Sequence, residues 1–148
     1  MTSLLRWLGI SFLPAAAGIA FPAPDYYRAL RRPPWAPPPW LFGPAWTALY
    51  TLMGMAAWLV ARRGDGSRGA LRLFGLQLAL NAAWTPIFFG LRRPGVAMLE
   101  IALMWVAVAA TTLAFFGRRT LAGVLFLPYL GWVSFAAALN WEIWRRNR

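Results

Sequence analysis

The chain contains no cysteine, no histidine and no lysine, so its 15 basic residues are all arginine. Without cysteine there is no disulfide and no thiolate nucleophile, and zinc and iron–sulfur clusters lose their usual ligands. Without histidine or lysine, catalytic triads, metal hydrolases and Schiff-base enzymes are excluded. The sequence therefore predicts no metal site and no required cofactor.

Carboxylates are also scarce, since the chain has only four: Asp25, Asp65, Glu100 and Glu142. Aromatic residues are abundant by contrast, with ten Trp, ten Phe and four Tyr. A function built on this inventory relies on aromatic surfaces, a few amides and hydroxyls, and shape.

Hydrophobic residues make up 60% of the chain and charged residues 13%, against about 45–50% and about 25% in ordinary soluble domains. A 148-residue domain cannot bury that much apolar surface in water, which indicates a bilayer as the solvent. A net charge of +11 is typical of nucleic-acid binding in a soluble protein. Here the arginines stand in pairs between apolar runs, where they meet lipid phosphates, so nucleic acid is not expected as a partner.

Five apolar runs of about 20 residues, the length that a bilayer core requires, follow one another along the chain. They predict an all-α integral membrane protein, a five-transmembrane-helix bundle formed by one domain over residues 1–148. The first helix has an alternative interpretation as a signal peptide, and the arginines divide too evenly between the two sides to fix the orientation. The predicted helices are 4–21, 44–61, 71–90, 95–116 and 120–144, with Pro44 at a first helical position and kinks or early ends at Pro14, Pro86 and Pro128.

The long connection from Pro22 to Gly43 is rich in Trp and Pro, with five prolines between residues 33 and 39. Such a backbone is stiff and extended. One interpretation is a rigid connector whose Trp35 and Trp40 lie at the membrane surface. The other is a lid over a pocket, with Tyr27 and Trp35 facing inward.

Three of the predicted helices carry aromatic and amide side chains on one face each. Simple packing explains such stripes, but buried amides in lipid need partners, which favours an apolar pocket with polar contact points for a flat ligand. The stripes are Trp46, Tyr50, Met53 and Ala57 on the second helix, Gln77, Asn81, Trp84 and Phe88 on the third, and Tyr129, Trp132, Ala136 and Asn140 on the fifth.

Two further features of the spans allow two interpretations each. Gly75, Ala79 and Ala83 form a small-residue stripe that packs against a neighbouring helix or a second subunit, and we favour a homodimer. Glu100 is the one carboxylate inside a predicted span. It is either a functional group, such as a proton carrier, or a side chain that reaches Arg92, Arg93 or the headgroups at the interface.

Several motifs together resemble the TspO/translocator-protein family, also known as tryptophan-rich sensory proteins or peripheral benzodiazepine receptors. The resemblance covers nearly the whole chain, in the family's order and spacing. It rests on Trp35-Ala36-Pro37-Pro38-Pro39-Trp40, Pro44-Ala45-Trp46-Thr47-Ala48-Leu49-Tyr50, the run from Gln77 to Gly90, and Pro128-Tyr129-Leu130 with Trp132 and Leu139-Asn140.

The resemblance implies a dimeric five-helix protein of a bacterial cell membrane that binds porphyrins, such as protoporphyrin IX and haem, as ligands. Sterol-like lipids and benzodiazepine-type ligands are further implied partners. Trp141 stands where the animal proteins' cholesterol motif has Tyr, and Val96 where they have a Trp, which weakens those two expectations. The ligand-binding residues expected from the stripes and the resemblance together are Tyr27, Trp35, Trp46, Tyr50, Asn81, Trp84, Phe88, Trp132 and Ala136.

Three functions remain open on these grounds. The first is a receptor or sensor that binds porphyrin, or transports it. The second is slow light-dependent porphyrin degradation, in which Trp46 and Trp132 would be catalytic. The third is a small proton-coupled exporter of hydrophobic compounds that uses Glu100.

Overall fold

A computed structural model describes residues 2–16, 30–64, 66–90 and 93–147. In this part of the chain all regular structure is helical. The helices are α1 (Thr2–Ser11), α2 (Pro39–Ala61), α3 (Arg68–Thr85), a π-helical turn (Pro86–Gly90), α4 (Pro94–Arg118) and α5 (Thr120–Asn147).

Three described helices contain a stretch that is long and apolar enough to cross a membrane. About 20 apolar residues are needed to cross a hydrocarbon core of about 30 Å. The stretches are Gly43–Ala61, Gly95–Arg118 and Thr120–Asn147. The prediction of a helical membrane protein is therefore confirmed in its coarse form.

Short connections make successive helices antiparallel neighbours. Arg119 alone, in an extended conformation, links α4 to α5. The two helices approach so closely here that a Cβ on Gly123 would overlap the ring of Phe116. Between α2 and α3 the turn uses Gly64 and Gly66, whose φ angles of 70° and 89° suit glycine.

The core lies between α2, α3, α4 and α5. Its centre is a chain of aromatic rings in which Phe74 stacks on Phe115 at 6.0 Å and Phe115 meets Phe126 edge-on at 5.0 Å. The ring of Phe126 in turn lies 5.4 Å from Tyr129. This aromatic packing joins α3, α4 and α5 at one level and places Tyr129 beside the polar residues of α3.

Prolines explain where the helices differ from the predicted bounds. The second helix begins at Pro39, not Pro44, because Pro39 and Trp40 already adopt helical geometry and a proline is tolerated in a first turn. Pro44 then lies inside α2. The predicted third helix changes to π geometry at Pro86, which lacks the N–H that an α-helix needs there. Pro128 lies inside α5, which continues through it.

The first predicted helix, 4–21, is also interrupted. Helix α1 ends at Ser11 and a turn over residues 12–14 follows, which agrees with the break predicted at Pro14. Residues beyond 16 of that prediction, like Tyr27 in the long connection, lie outside the described residues.

A close crossing holds α1 against α2. The buried Ser11 hydroxyl donates to the backbone carbonyl of Tyr50 at 2.7 Å and lies 2.9 Å from that of Leu8. The crossing needs a glycine, since a Cβ on Gly54 would lie 2.8 Å from Oγ of Ser11 and 2.9 Å from Cα of Leu8. Helix α1 therefore fixes the backbone of α2 at the level of Tyr50.

Gly54→Ala should destabilise the protein by about 1–3 kcal/mol, because the backbone of Leu8 cannot move without separating the two helices. Thermal unfolding in detergent measures the loss. Gly43→Ala is the matched control in the same helix, since a Cβ there meets nothing within 4 Å. Equal stability of the two variants would contradict the close crossing.

Candidate functional site

The polar and aromatic stripes of α2, α3 and α5 face one another inside the bundle. Gln77 and Asn81 of α3 and Phe88 of the π-helical turn are buried, and so are Tyr50, Met53 and Ala57 of α2. On α5, Tyr129, Ala136 and Asn140 are buried. Trp46, Trp84 and Trp132 are half-buried. The inward orientation predicted for the stripes is confirmed.

A hydrogen-bonded chain joins these three helices at the floor of the site. The Tyr50 hydroxyl donates to Oδ1 of Asn81 at 3.0 Å, and Nδ2 of Asn81 donates to the Tyr129 hydroxyl at 2.7 Å. The Tyr129 hydroxyl donates in turn to Oε1 of Gln77 at 2.7 Å. Finally, Nε2 of Gln77 lies 3.6 Å from the sulfur of Met53, a weak acceptor.

These hydrogen bonds satisfy polar groups that would be costly to bury unpaired in an apolar interior. Each of the four polar side chains has a partner on another helix. The rotation of α2, α3 and α5 about their axes is thereby fixed, since a turn of any one helix would leave a buried amide or hydroxyl unpaired.

A second polar contact joins the same faces of α3 and α5, nearer to the C-terminal ends of both helices. Nε1 of Trp84 donates to Oδ1 of Asn140 at 3.0 Å, and the Trp84 ring stacks on Phe88 at 4.9 Å. The π-helical turn begins directly after this segment and contains Phe88. The amide of Asn140 and the ring of Phe88 together orient the Trp84 indole.

Trp46 lies at the junction of three other rings. It stacks on Tyr50 at 5.3 Å and meets Trp132 edge-on at 6.0 Å, and its centroid is 6.2 Å from Tyr129. The tryptophans of α2 and α5 are therefore in contact above the polar chain.

These residues line a narrow cavity with a volume of about 20 Å³. Its walls are mostly aromatic and aliphatic, with two amides, and the described lining residues include no nucleophile or general base. Such walls suit the stacking and enclosure of a flat apolar molecule. The lining residues are Trp46, Asn81, Trp84, Phe88, Met104, Trp132, Val133, Phe135, Ala136, Leu139, Asn140 and Ile143.

Six of the nine expected ligand-binding residues meet at this cavity, and two other described ones, Tyr50 and Trp35, are not part of its lining. Tyr50 lies behind Asn81 and acts on the cavity through its hydrogen bond. Trp35 is 47% exposed and contacts Phe135 edge-on at 5.6 Å, on the outer side of α5. Tyr27 lies outside the described residues.

Several lining residues were absent from the expected set. Met104 comes from α4, a helix with no aromatic or amide stripe to mark its inward face. Asn140 belongs to the α5 stripe, and its periodicity with Ala136 is a signal that could have placed it in the wall. Phe135 and Leu139 adjoin that stripe.

Glu100 lies on α4, one turn before Met104, and is 8% exposed. Neither of its carboxyl oxygens has a hydrogen-bond partner among the described residues. Arg93 is exposed, and no ion pair joins it to Glu100 in that part of the chain. Of the two interpretations, a side chain extended to the interface does not describe the buried position that Glu100 occupies.

Tyr129→Phe should reduce stability more than Tyr50→Phe does, although each substitution removes one hydroxyl. The Tyr129 hydroxyl makes two bonds, so its loss leaves groups of Gln77 and Asn81 unpaired, at about 1–3 kcal/mol. Loss of the single Tyr50 bond should cost about 0.6 kcal/mol, an average value for such bonds in membrane proteins. Unfolding in detergent by heat measures both, and equal losses would contradict the two-bond role.

Comparison with known proteins agrees with these features. The model of the TspO/MBR family matches residues 6–145. A tryptophan-rich sensory protein of Cereibacter sphaeroides is 46% identical over 143 residues, which cover 97% of this chain and 90% of the relative. Protein CrtK of Rhodobacter capsulatus is 42% identical over 89% of this chain and 84% of its own length. The human translocator protein is 44% identical over 126 residues, 82% of this chain and 75% of the relative. The chain therefore belongs to the TspO/MBR family.

Proposed function

We propose that this membrane protein binds a porphyrin in the cavity between α2, α3, α4 and α5. The observation that carries the proposal is the convergence of Trp46, Trp84 and Trp132 around a cavity that also presents two amides. Indole faces stack on a flat conjugated macrocycle, and amides bond to its polar edge. The cavity, at about 20 Å³, is narrow, so the rings of Trp46 and Trp132 separate when the macrocycle enters.

The proposal depends on stacking and enclosure. The chain contains no histidine or cysteine to ligate a haem iron. The relatives' printed names, sensory protein and translocator protein, fit a protein that binds a ligand and passes on its presence or the ligand itself. Protoporphyrin IX, which needs no axial ligand, is therefore the appropriate probe.

The assembly belongs to the same proposal. The five helices would all span the bilayer, with α3 and its π-helical turn acting as one span over residues 68–90. Gly75 and Ala79 are exposed on α3, and a Cβ on Gly75 meets nothing within 4 Å, so this face is open to a second copy. The homodimer would form through Gly75, Ala79 and Ala83.

Ala136→Leu should abolish binding of protoporphyrin IX or weaken it at least about tenfold, because the larger side chain fills the cavity. Trp132→Ala should weaken it by about tenfold through loss of a stacking surface. Titration in the dark, followed by porphyrin absorbance, measures both. Ala138→Leu and Trp105→Phe are the matched controls, since Ala138 is exposed on α5 and Trp105 pairs with Ser134 outside the cavity.

Unchanged affinity in both cavity variants would overturn the assignment of the pocket. Illumination of the wild-type complex distinguishes the enzymatic alternative. Dark binding with no new product in light rejects porphyrin degradation, whereas a product that disappears in Trp46→Phe and Trp132→Phe supports it.

A second candidate function is proton-coupled export of hydrophobic compounds, and Glu100 is the observation that favours it. A carboxyl group that is 8% exposed and has no hydrogen-bond partner in the described part of the chain is costly to keep inside a membrane protein. Such groups commonly serve as proton carriers. Glu100 lies one turn from Met104 in the cavity wall, so a proton there would lie near the transported compound.

Glu100→Gln should abolish the dependence of porphyrin flux on a pH gradient in proteoliposomes, because the amide cannot exchange a proton. Glu100→Asp should retain that dependence. Trp132→Phe is expected to lower the flux and keep its pH dependence. A gradient-driven flux that persists in Glu100→Gln would reject the exporter without affecting the binding proposal.

A further inference from the structure

A second apolar concavity, here called the outer groove, lies on the outside of the bundle between α2 and α5. It is larger than the inner cavity, with a volume of about 750 Å³. The chain segment 34–38 covers one end, Leu41, Ala45, Ala48 and Leu52 form one wall, and Pro128, Gly131 and Phe135 form the other. None of these lining residues is charged.

The position of the outer groove matches the depth of one lipid leaflet. Its α2 wall runs from Leu41, just before the apolar stretch Gly43–Ala61, to Leu52 at the middle of that stretch. Eleven residues of helix rise about 16 Å, and half of a bilayer core is about 15 Å. The groove therefore begins at the interface and ends near the bilayer centre.

The floor of the outer groove is open and lined by small residues. Ala48 and Gly131 are both exposed, and a Cβ on Gly131 would meet nothing within 4 Å. Small residues on facing helices leave open space between them, and in a bilayer lipid tails fill such space.

The cationic Arg31 and the aromatic Trp35 lie near the interfacial end of the outer groove. Arg31 is exposed and lies three residues before Pro34. The backbone N–H of Arg31 donates to Oδ1 of Asn147 at 3.0 Å, and Nδ2 of Asn147 donates to the Arg31 carbonyl at 2.8 Å. These two bonds hold Arg31 at the end of α5, at headgroup level, where arginine attracts anionic lipid.

We propose that the outer groove binds one acyl chain of an anionic phospholipid from the leaflet on the side of segment 34–38, with Arg31 beside the lipid phosphate. Trp132 and Phe135 line both this groove and the inner cavity. The lipid chain therefore packs against the outer side of the wall whose inner side faces the cavity.

Photo-crosslinking in proteoliposomes tests the site without any porphyrin, so the result is independent of the proposed function. The probe is phosphatidylglycerol with a diazirine near the end of one acyl chain, at trace level in phosphatidylcholine. Adducts should concentrate on 45–52 and 128–135 relative to the exposed face of α4 at Leu99, Leu103 and Val106. Equal labelling of the two faces, or no adduct in the groove, would overturn the proposal.

Variants separate the acyl-chain contact from the headgroup contact. Gly131→Leu, which fills open space, should lower the groove adducts at least about fivefold, and Ala48→Leu repeats the test from the other wall. Gly117→Leu is the matched control, an exposed glycine of α4 whose Cβ also meets nothing. Arg31→Gln should reduce the preference for phosphatidylglycerol over labelled phosphatidylcholine about fivefold. Unchanged yields in both wall variants would also overturn the site.

Discussion

The interaction on which the rest of the structure depends is the pair of hydrogen bonds at the Tyr129 hydroxyl. This one oxygen accepts from Asn81 and donates to Gln77, and Asn81 accepts in turn from Tyr50. In a bundle whose surroundings are as apolar as its interior, hydrophobic burial orients helices only weakly. Polar groups that must find partners supply the orientation instead. The three helices therefore meet in a fixed rotation, and the tryptophans above the polar chain face one another.

The constraint extends outward from Tyr50 to the first helix. Ser11 donates to the backbone carbonyl of Tyr50, and Gly54 lets α1 approach one turn later. Tyr50 is thus held at its backbone by α1 and at its hydroxyl by α3. Tyr50 does not line the cavity, but it links α1 to the polar floor of the cavity.

The sequence allowed a good prediction of which helix faces turn inward. Asn81 and Asn140 are expensive in lipid and share faces with tryptophans, so a 3.6-residue period was enough to place them. Helix starts were harder to predict, because Pro39 and Pro44 are equally acceptable at a first turn and only the packing of the preceding segment decides between them. Met104 could not be assigned to the cavity for a different reason. Glu100 lies one turn from Met104 on α4, but its alternative interpretation as a side chain that reaches the interface left the inward face of this otherwise largely apolar helix open.

Trp35 shows the same limit in a segment without periodicity. A proline-rich stretch predicts an extended backbone, but the side on which its tryptophan lies depends on contacts distant in sequence. Here the Asn147–Arg31 bonds hold the segment along α5, and Trp35 meets Phe135 from outside the bundle. Of the two interpretations that the sequence left open, the described position of Trp35 fits a surface connector better than an inward-facing lid residue.

The floor of the cavity is held by hydrogen bonds, whereas its wall at Trp46 and Trp132 is held by an aromatic contact. The polar chain that forms the floor is costly to disturb, because opening the two bonds of the Tyr129 hydroxyl leaves buried groups of Gln77 and Asn81 unpaired at about 1–3 kcal/mol. The Trp46–Trp132 contact is an edge-on aromatic pair, worth about 0.5–1.5 kcal/mol beyond the area that it buries. Under the proposed function, a flat ligand inserts between these rings and replaces their contact with its own stacking, so opening this wall costs less than opening the floor. The wall would then separate around the ligand while the floor keeps the helices in register.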